Sequence, residues 1–260
     1  MNTVRILALA DVCGEEALSS LCRALPSLRA KYRADLILVN AENAANDNGA
    51  HPALCDALFE AGADVLTGGN HTLKRSEMRD YLDNHPRALR PENLKNTPFG
   101  AGRVTVTING VRVMVTNFLG QAYLSGTENP FVCADKLLED AAGSYDVAVC
   151  DFHAEATAEK GAFAREFDGK FAVVYGTHTH VATADLQILK EGSAFITDLG
   201  MCGAKESVLG VATEESIRRF RTGEPLRYRP AKGELVAMGA VFEVSEQGRC
   251  ISCFRTEDAI

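Results

Sequence analysis

Two histidines one residue apart stand in Gly176-Thr177-His178-Thr179-His180, directly after the apolar run Phe171-Ala172-Val173-Val174-Tyr175. The run reads as a buried strand, and the glycine lets the chain turn at its end. Side chains at i and i+2 of an extended segment share a face, so His178 and His180 can address one small region. That geometry suits a close-set metal pair; a polar turn with surface histidines is the other reading the motif permits. Further strand-like segments also finish on metal-ligand residue types. Val4 to Ala10 ends at Asp11, and Asp35 to Asn40 leads into Ala41-Glu42-Asn43. Asp64-Val65-Leu66-Thr67 closes on Gly68-Gly69-Asn70-His71, and Tyr145 to Cys150 continues through Asp151-Phe152 to His153. Strands alternating with helices predict a largely parallel sheet with right-handed crossovers, in which ligands bind beyond the carboxyl ends of the strands. Asp11, Glu42, Asn43, Asn70, His71, His153, His178 and His180 are therefore expected at one rim.

The set mixes nitrogen and oxygen donors and requires no thiolate. This suits first-row ions such as iron, manganese or zinc better than calcium or a structural zinc. More donors are present than one tetrahedral ion takes. Two divalent ions sharing a carboxylate fit better, about 3.5–4 Å apart as in two-metal hydrolases, with a bridging hydroxide as nucleophile. Taken singly, each residue has an ordinary reading. Asp11 could form a turn, Glu42 could cap a helix, and Asn43 and Asn70 could adopt left-handed turns. His153 could be a core histidine bonded to backbone, and His71 could be a ligand rather than an acid. None of these explains the shared placement at strand ends. Asp151, Glu155 and Asp198 could orient imidazoles from behind or serve as loop and cap residues. His51 and His85 lack partner motifs and read as structural or solvated.

Several elements must position this set. Glu15 to Arg33 carries Leu18, Leu21, Cys22, Leu25 and Leu28 at helical spacing, with Pro26 expected to break or kink the helix. A helix is expected from about Pro52 to Ala61. Asn109-Gly110 between Arg103–Ile108 and Val111–Val115 signals a type I′ hairpin, hence an antiparallel component. Pro91 to Gly102 and Gly120 to Asn129 read as loops, the second near the site or at a subunit contact. Phe131 to Ala141, Glu155 to Phe167 and Thr213 to Arg221 read as helices. Leu186–Leu189 with Ala194–Asp198 reads as a hairpin, and late strands are expected around Glu234 to Val244 and Arg249 to Phe254. The fold class is α/β, with two mixed β-sheets packed as a sandwich flanked by helices, as one domain over residues 1–260.

The chain has 260 residues, 46% of them hydrophobic and 24% charged, which supports a sizeable core. Lys plus Arg number 27 against 35 Asp plus Glu, a net charge of -8. That argues against stable nucleic-acid binding, which favours a basic face. It leaves room for a small phosphorylated substrate, because bound cations reverse the local field. No stretch suits a bilayer span, and the amino terminus runs straight into a strand pattern, so a cytoplasmic protein is expected. The eight cysteines are scattered. Only Cys250-Ile251-Ser252-Cys253 forms C-x-x-C, and on a regular strand residues three apart face opposite sides, a poor metal clamp.

Five ordered blocks carry a family resemblance: N-A-E-N-A-A (Asn40 to Ala45), G-N-H-T (Gly69 to Thr72), D-F-H-A-E-A-T-x-E-K (Asp151 to Lys160), G-T-H-T-H-V-x-T-A-D (Gly176 to Asp185) and T-D-x-G-M-x-G (Thr197 to Gly203). Together they resemble the YmdB-type metallophosphoesterases of the calcineurin-like phosphoesterase superfamily, over essentially the full chain. The resemblance implies a four-layer fold with two metals at one rim. It implies Asp11, Glu42, Asn43 and His180 on the first metal, and Glu42 bridging to a second completed by Asn70, His153 and His178. His71 is implied as the general acid that protonates the leaving oxygen. The implied activity is hydrolysis of phosphodiesters, including 2′,3′-cyclic nucleotides, by a protein that self-associates. A nucleotide phosphomonoesterase, or a metal-containing regulatory protein with weak activity, are the alternatives. The superfamily's usual D-x-H reads Asp11-Val12-Cys13 here, so that histidine is absent. Ala182, Leu73 and Cys202 depart from the family pattern and are expected to alter the substrate wall.

Overall fold

The apolar run at the amino terminus becomes β1 (Thr3–Leu9), followed after Ala10 by the two-residue β2 (Asp11–Val12). The structure, a computed structural model, describes residues 2–225 and 229–260. Alternating strands and helices continue as α1 (Glu15–Tyr32), β3 (Leu36–Asn40), α2 (Pro52–Glu60), β4 (Val65–Thr67) and α3 (Glu77–Asn84). The hairpin β5 (Arg103–Ile108) and β6 (Val111–Leu119) leads to α4 (Pro130–Asp140), β7 (Val147–His153), α5 (Thr157–Glu166) and β8 (Val173–Thr177). The last part is β9 (Gln187–Ile188), β10 (Ala194–Ile196), β11 (Met201–Ala204), α6 (Thr213–Thr222), β12 (Leu235–Ser245) and β13 (Cys250–Ala259).

These strands form two mixed sheets. The seven-stranded sheet runs β2-β11-β12-β1-β3-β4, with β13 paired to β12; the six-stranded sheet runs β5-β6-β7-β8-β10-β9. Within the first, β1, β3 and β4 are parallel, while β12 enters antiparallel beside β1. Within the second, β6, β7, β8 and β10 are parallel and β5 and β9 close the edges antiparallel. Val4, Ile6 and Ala8 of β1 meet Val113, Val115, Val147, Val149 and Tyr175 between the sheets. Leu7 and Leu9 turn the other way, onto Leu18, Leu21 and Leu25 of α1 and Leu58 of α2. Burial on both faces is why β1 reads as one continuous apolar run. On the far side, Phe163 of α5 and Leu137 of α4 cover Phe118 and Phe152. The result is the expected four-layer α/β arrangement. No helix among the described residues is long and apolar enough to cross a membrane.

The structure corrects several local expectations. Pro26 neither breaks nor interrupts α1. It lies on the exposed face, where water can serve the carbonyl its missing N–H leaves free, while the buried leucine stripe holds the helix to the sheet. Cys250 and Cys253 do not face opposite sides. Ser252 pairs with Glu243 and Cys250 with Val244, so Ile251 is a β-bulge and both thiols turn toward the layer between the sheets. Cys202 is fully buried in the core, so it forms no substrate wall, while Leu73 is half-buried against the same core. Asn109 and Gly110 take φ of 51° and 80°, as a type I′ turn requires.

Gly176 does not turn the chain as expected but lies inside β8 against a neighbouring backbone: a Cβ there would lie 1.8 Å from the Thr197 carbonyl oxygen. Gly176→Ala is expected to lower stability by about 3 kcal/mol or more, the upper end of core overpacking. Gly161 in α5 would meet only the flexible end of Arg165 at 3.4 Å. Gly161→Ala is expected to be stabilising by about 0.5–1 kcal/mol. Urea unfolding midpoints of the two variants check both signs.

Candidate metal centre

Residues from both sheets converge. Asp11 comes from β2, Glu42 and Asn43 follow β3, Asn70 and His71 follow β4, His153 ends β7, and His178 and His180 follow β8. Asp11, Glu42 and His153 are essentially inaccessible to solvent, and Asn43 is buried. His153 Nε2 lies 2.9 Å from Glu42 Oε1, 3.0 Å from His178 Nδ1 and 3.2 Å from Asn70 Oδ1. Donor atoms of Glu42, His153 and His178 all lie within 4.8 Å of one another. Beside them, His180 Nε2 is 3.5 Å from Asp11 Oδ1 and 3.3 Å from Asn43 Nδ2. Asn43 Nδ2 is in turn 3.4 Å from Glu42 Oε1, so the Glu42 carboxylate touches both groups. His71 joins at the edge: its backbone N–H donates to Glu42 Oε2 at 3.0 Å, and its ring Nε2 is 3.2 Å from Asn70 Nδ2.

Each of the three inner imidazoles has its other nitrogen tied from behind. Thr177 Oγ1 donates its one proton to Asp151 Oδ1 at 2.6 Å, so at 2.9 Å it accepts from His153 Nδ1–H. His178 Nε2 donates to Glu155 Oε2 at 3.1 Å, and His180 Nδ1 donates to the Leu209 carbonyl at 3.0 Å. This fixes which ring nitrogen faces the cluster. Asp151 is held by Thr67 and by Asn40 Nδ2 at 3.1 Å as well. His178 and His180 adopt φ of 101° and 61°, backbone regions costly for residues with a Cβ. Lys160 and Asp198 hold that segment. The fully buried Lys160 Nζ donates to the Thr177 carbonyl at 2.9 Å and to Asp198 Oδ2 at 2.7 Å. Asp198 then accepts from Thr179 N at 3.0 Å and Gly200 N at 3.0 Å.

Burial would by itself raise the Asp11 carboxyl, but the hydrogen bond and charge of His180, with His153, hold it well below the usual range. Burial is likewise outweighed at His153, where the Glu42 charge and hydrogen bond push the imidazole up to about 9. Burial and the neighbouring His153 charge bring His178 down to about 4. Burial also lowers His71 and raises Asp151 to about 6. At neutral pH the His153 cation thus balances Glu42, as His180 balances Asp11. A divalent metal ion would serve the same balance, which is the first sign that the residues fit one. Two more follow. Asn43 Oδ1 is a buried acceptor with no hydrogen-bond partner. A Cβ on Gly69 would lie 2.3 Å from both Glu42 Oε2 and His153 Nε2, so that glycine keeps the space at the cluster open.

All eight residues singled out in the sequence meet here. Glu155 bonds the His178 imidazole directly and Asp151 reaches His153 through Thr177, whereas Asp198 bonds Lys160 and the backbone of Thr179 and Gly200, the loop role of its other reading. Thr177, Asn40 and Lys160 were missed; the motifs containing them gave the only signal. His51 caps α2, accepting from Ala53 N, and His85 stacks on Tyr81, so neither reaches the cluster. The Gly120–Asn129 loop does approach it, since Gly120 N donates to the His153 carbonyl at 3.0 Å.

Removing the buried cation should expose the role of Lys160. Lys160→Met leaves Asp198 charged and unpaired, and is expected to cost about 3–5 kcal/mol. Lys160→Met with Asp198→Asn should recover part of that loss, as read by denaturant unfolding.

A 2′,3′-cyclic-nucleotide 2′-phosphodiesterase of Bacillus subtilis is 38% identical over 244 residues, covering 94% of this chain and 92% of its own. The crystal structure of a phosphatase from Mycoplasma pneumoniae superposes with a TM-score of 0.93 at 35% identity, over 100% of this chain and 94% of its own. A Staphylococcus aureus structure described as a putative 5′-nucleotidase aligns over 98% of this chain and 54% of its own, with a TM-score of 0.61 and 15% identity, a likeness of fold alone. The YmdB-like protein family matches residues 7–255, and with a relative this similar along nearly its whole length the chain belongs to that family.

Proposed function

We propose that the chain is a dinuclear metal-dependent phosphodiesterase acting on small phosphodiesters of the 2′,3′-cyclic nucleotide class, as one catalytic domain. The observation that carries this is the position of Glu42, whose Oε1 lies 2.9 Å from His153 Nε2 and 3.4 Å from the Asn43 amide. One carboxylate thereby serves two donor groups. In this reading Asp11, Glu42, Asn43 and His180 hold one ion, and Glu42, Asn70, His153 and His178 hold the other. Divalent ions bound there, iron or manganese foremost and zinc as a third choice, would bring the pKa of a water molecule toward neutrality and offset phosphoryl charge.

The chain's own groups do the rest. Thr177, Glu155 and the Leu209 carbonyl orient the imidazoles, and Lys160 with Asp198 fixes the segment that bears two of them. His71, half-buried beside Asn70, holds a proton for the leaving oxygen. A phosphoryl anion next to its ring favours the protonated form and counters the effect of burial. The B. subtilis relative, named for a 2′,3′-cyclic-nucleotide activity, supports the substrate class. Nucleotide phosphomonoester hydrolysis is the second reading, favoured by the description of the M. pneumoniae structure as a phosphatase. Rates on bis(p-nitrophenyl) phosphate and p-nitrophenyl phosphate separate the two. The proposal includes a cytoplasmic setting, supported by eight cysteines all in the free state. It also includes self-association, read by light scattering.

With manganese or iron(II) supplied, the protein is expected to hydrolyse 2′,3′-cyclic AMP and to stop when chelator is added. His71→Ala should lower kcat by about 10²–10⁴-fold, the usual worth of a general acid, while elemental analysis shows metal content unchanged. No turnover with iron, manganese and zinc each supplied would falsify the reading. Gly69→Ala should keep the circular-dichroism spectrum of the native chain and lose most bound metal.

A further inference from the structure

We propose that the Cys13 thiolate is a further donor to the ion held by Asp11 and His180, making that half of the centre softer than the other. The inference rests on the metal reading above and extends it to a residue outside that ligand set. Cys13 lies two residues after Asp11, and the extended backbone continues past β2, because Cys13 N donates to the Cys202 carbonyl at 2.8 Å. Residues i and i+2 of such a segment share a face, so Cys13 stands on the same face of the chain as Asp11. Cys13 is only 3% exposed. Its Sγ lies 3.5 Å from His180 Nδ1 and 4.0 Å from His180 Nε2, and donates to the Asp11 carbonyl at 3.5 Å. Two glycines crowd it from behind. A Cβ on Gly203 would be 3.1 Å from Cys13 Cβ, and one on Gly210 would be 3.0 Å from Cys13 Cβ and 3.3 Å from Sγ.

A second observation marks the same corner. Asn43 Oδ1 is buried without a partner, while the nitrogen of the same amide faces Asp11 Oδ1 at 3.4 Å and His180 Nε2 at 3.3 Å. Turning that amide over exchanges the two atoms and directs the oxygen at Asp11 and His180. Two acceptor oxygens and an imidazole nitrogen then face one point, an arrangement that suits a bound cation. The two halves of the cluster are also unequal: His153 and His178 serve one, His180 alone the other. A thiolate redresses this. On ligation the S–H bond breaks, its proton leaves to solvent, and the sulfur lone pair forms the metal bond. Thiolate ligation shifts preference toward zinc, cobalt and iron over manganese.

Titration of the metal-free protein with cobalt(II) tests this without reference to turnover. Visible d–d bands report the centre, and a near-ultraviolet sulfur-to-cobalt charge-transfer band reports the thiolate. The wild-type chain is expected to show both. Cys13→Ala and Cys13→Ser should keep the d–d bands and lose the charge-transfer band, and Cys202→Ala, a buried thiol bonded to the Met238 carbonyl, should keep both. The zinc-to-manganese affinity ratio should fall roughly tenfold or more in Cys13→Ala. A wild-type spectrum with d–d bands and no charge-transfer band, or a band that survives in Cys13→Ala, overturns the proposal and leaves the centre standing. Absence of d–d bands overturns the metal reading itself.

Discussion

A metal-binding imidazole must present a lone pair, and an imidazole presents one reliably only when its other nitrogen is engaged as a donor. That requirement organises the rim of this fold. A threonine hydroxyl, an exposed carboxylate and a backbone carbonyl each accept a ring N–H, from His153, His178 and His180 respectively. The first of these depends on strand register. β7 and β8 pair with His153 opposite Thr177 and Asp151 opposite Tyr175. A slip by one residue would turn Thr177 to the other face and release the imidazole. The hydrophobic layer between the sheets, which contains Val147, Val149, Val173 and Tyr175, is what prevents that slip.

The same rim concentrates charges that burial alone would not allow. Asp11, Glu42, Asp151 and His153 are all sealed from solvent. Each is balanced by a neighbour rather than by water, so the group stands or falls together. Their pKa values move in opposite directions for that reason, with Asp11 held down and His153 pushed up. Lys160 extends this network one layer deeper. Its ion pair with Asp198 is remote from the donor atoms, yet it anchors the backbone at Thr177 and Thr179, on either side of His178. The left-handed φ values of His178 and His180 are the local cost of aiming two side chains from one tight turn into one cluster.

Where the local pattern was strong, reading it sufficed. β1, β3, β7 and β8 are buried on both faces, so their apolar runs are uninterrupted and their ends stand out. The Asn109-Gly110 turn carried its own geometry. Weak patterns failed in identifiable ways. β2 and β11 are very short and contain little apolar sequence; they exist as strands because they pair with each other and β11 with β12. The helix α3 has Met78, Tyr81 and Leu82 at helical spacing, but its polar remainder hid that stripe. At Ile251 a single bulge reversed the facing of a cysteine that regular alternation had placed wrongly.

The chain by itself determined the kinds of donor available and their attachment to strand ends, because residue type and apolar periodicity are local properties. It also determined family membership, since ordered motifs survive in one dimension. Tertiary structure decided which donors share an atom-scale neighbourhood, with Glu42 between the His153 and Asn43 groups and Cys13 against His180. Only it could assign Thr177, Lys160 and Asp198 to the support of the histidines. Those relations join residues of two different sheets, and the distance between two sheets depends on how all their side chains pack, which no single segment encodes.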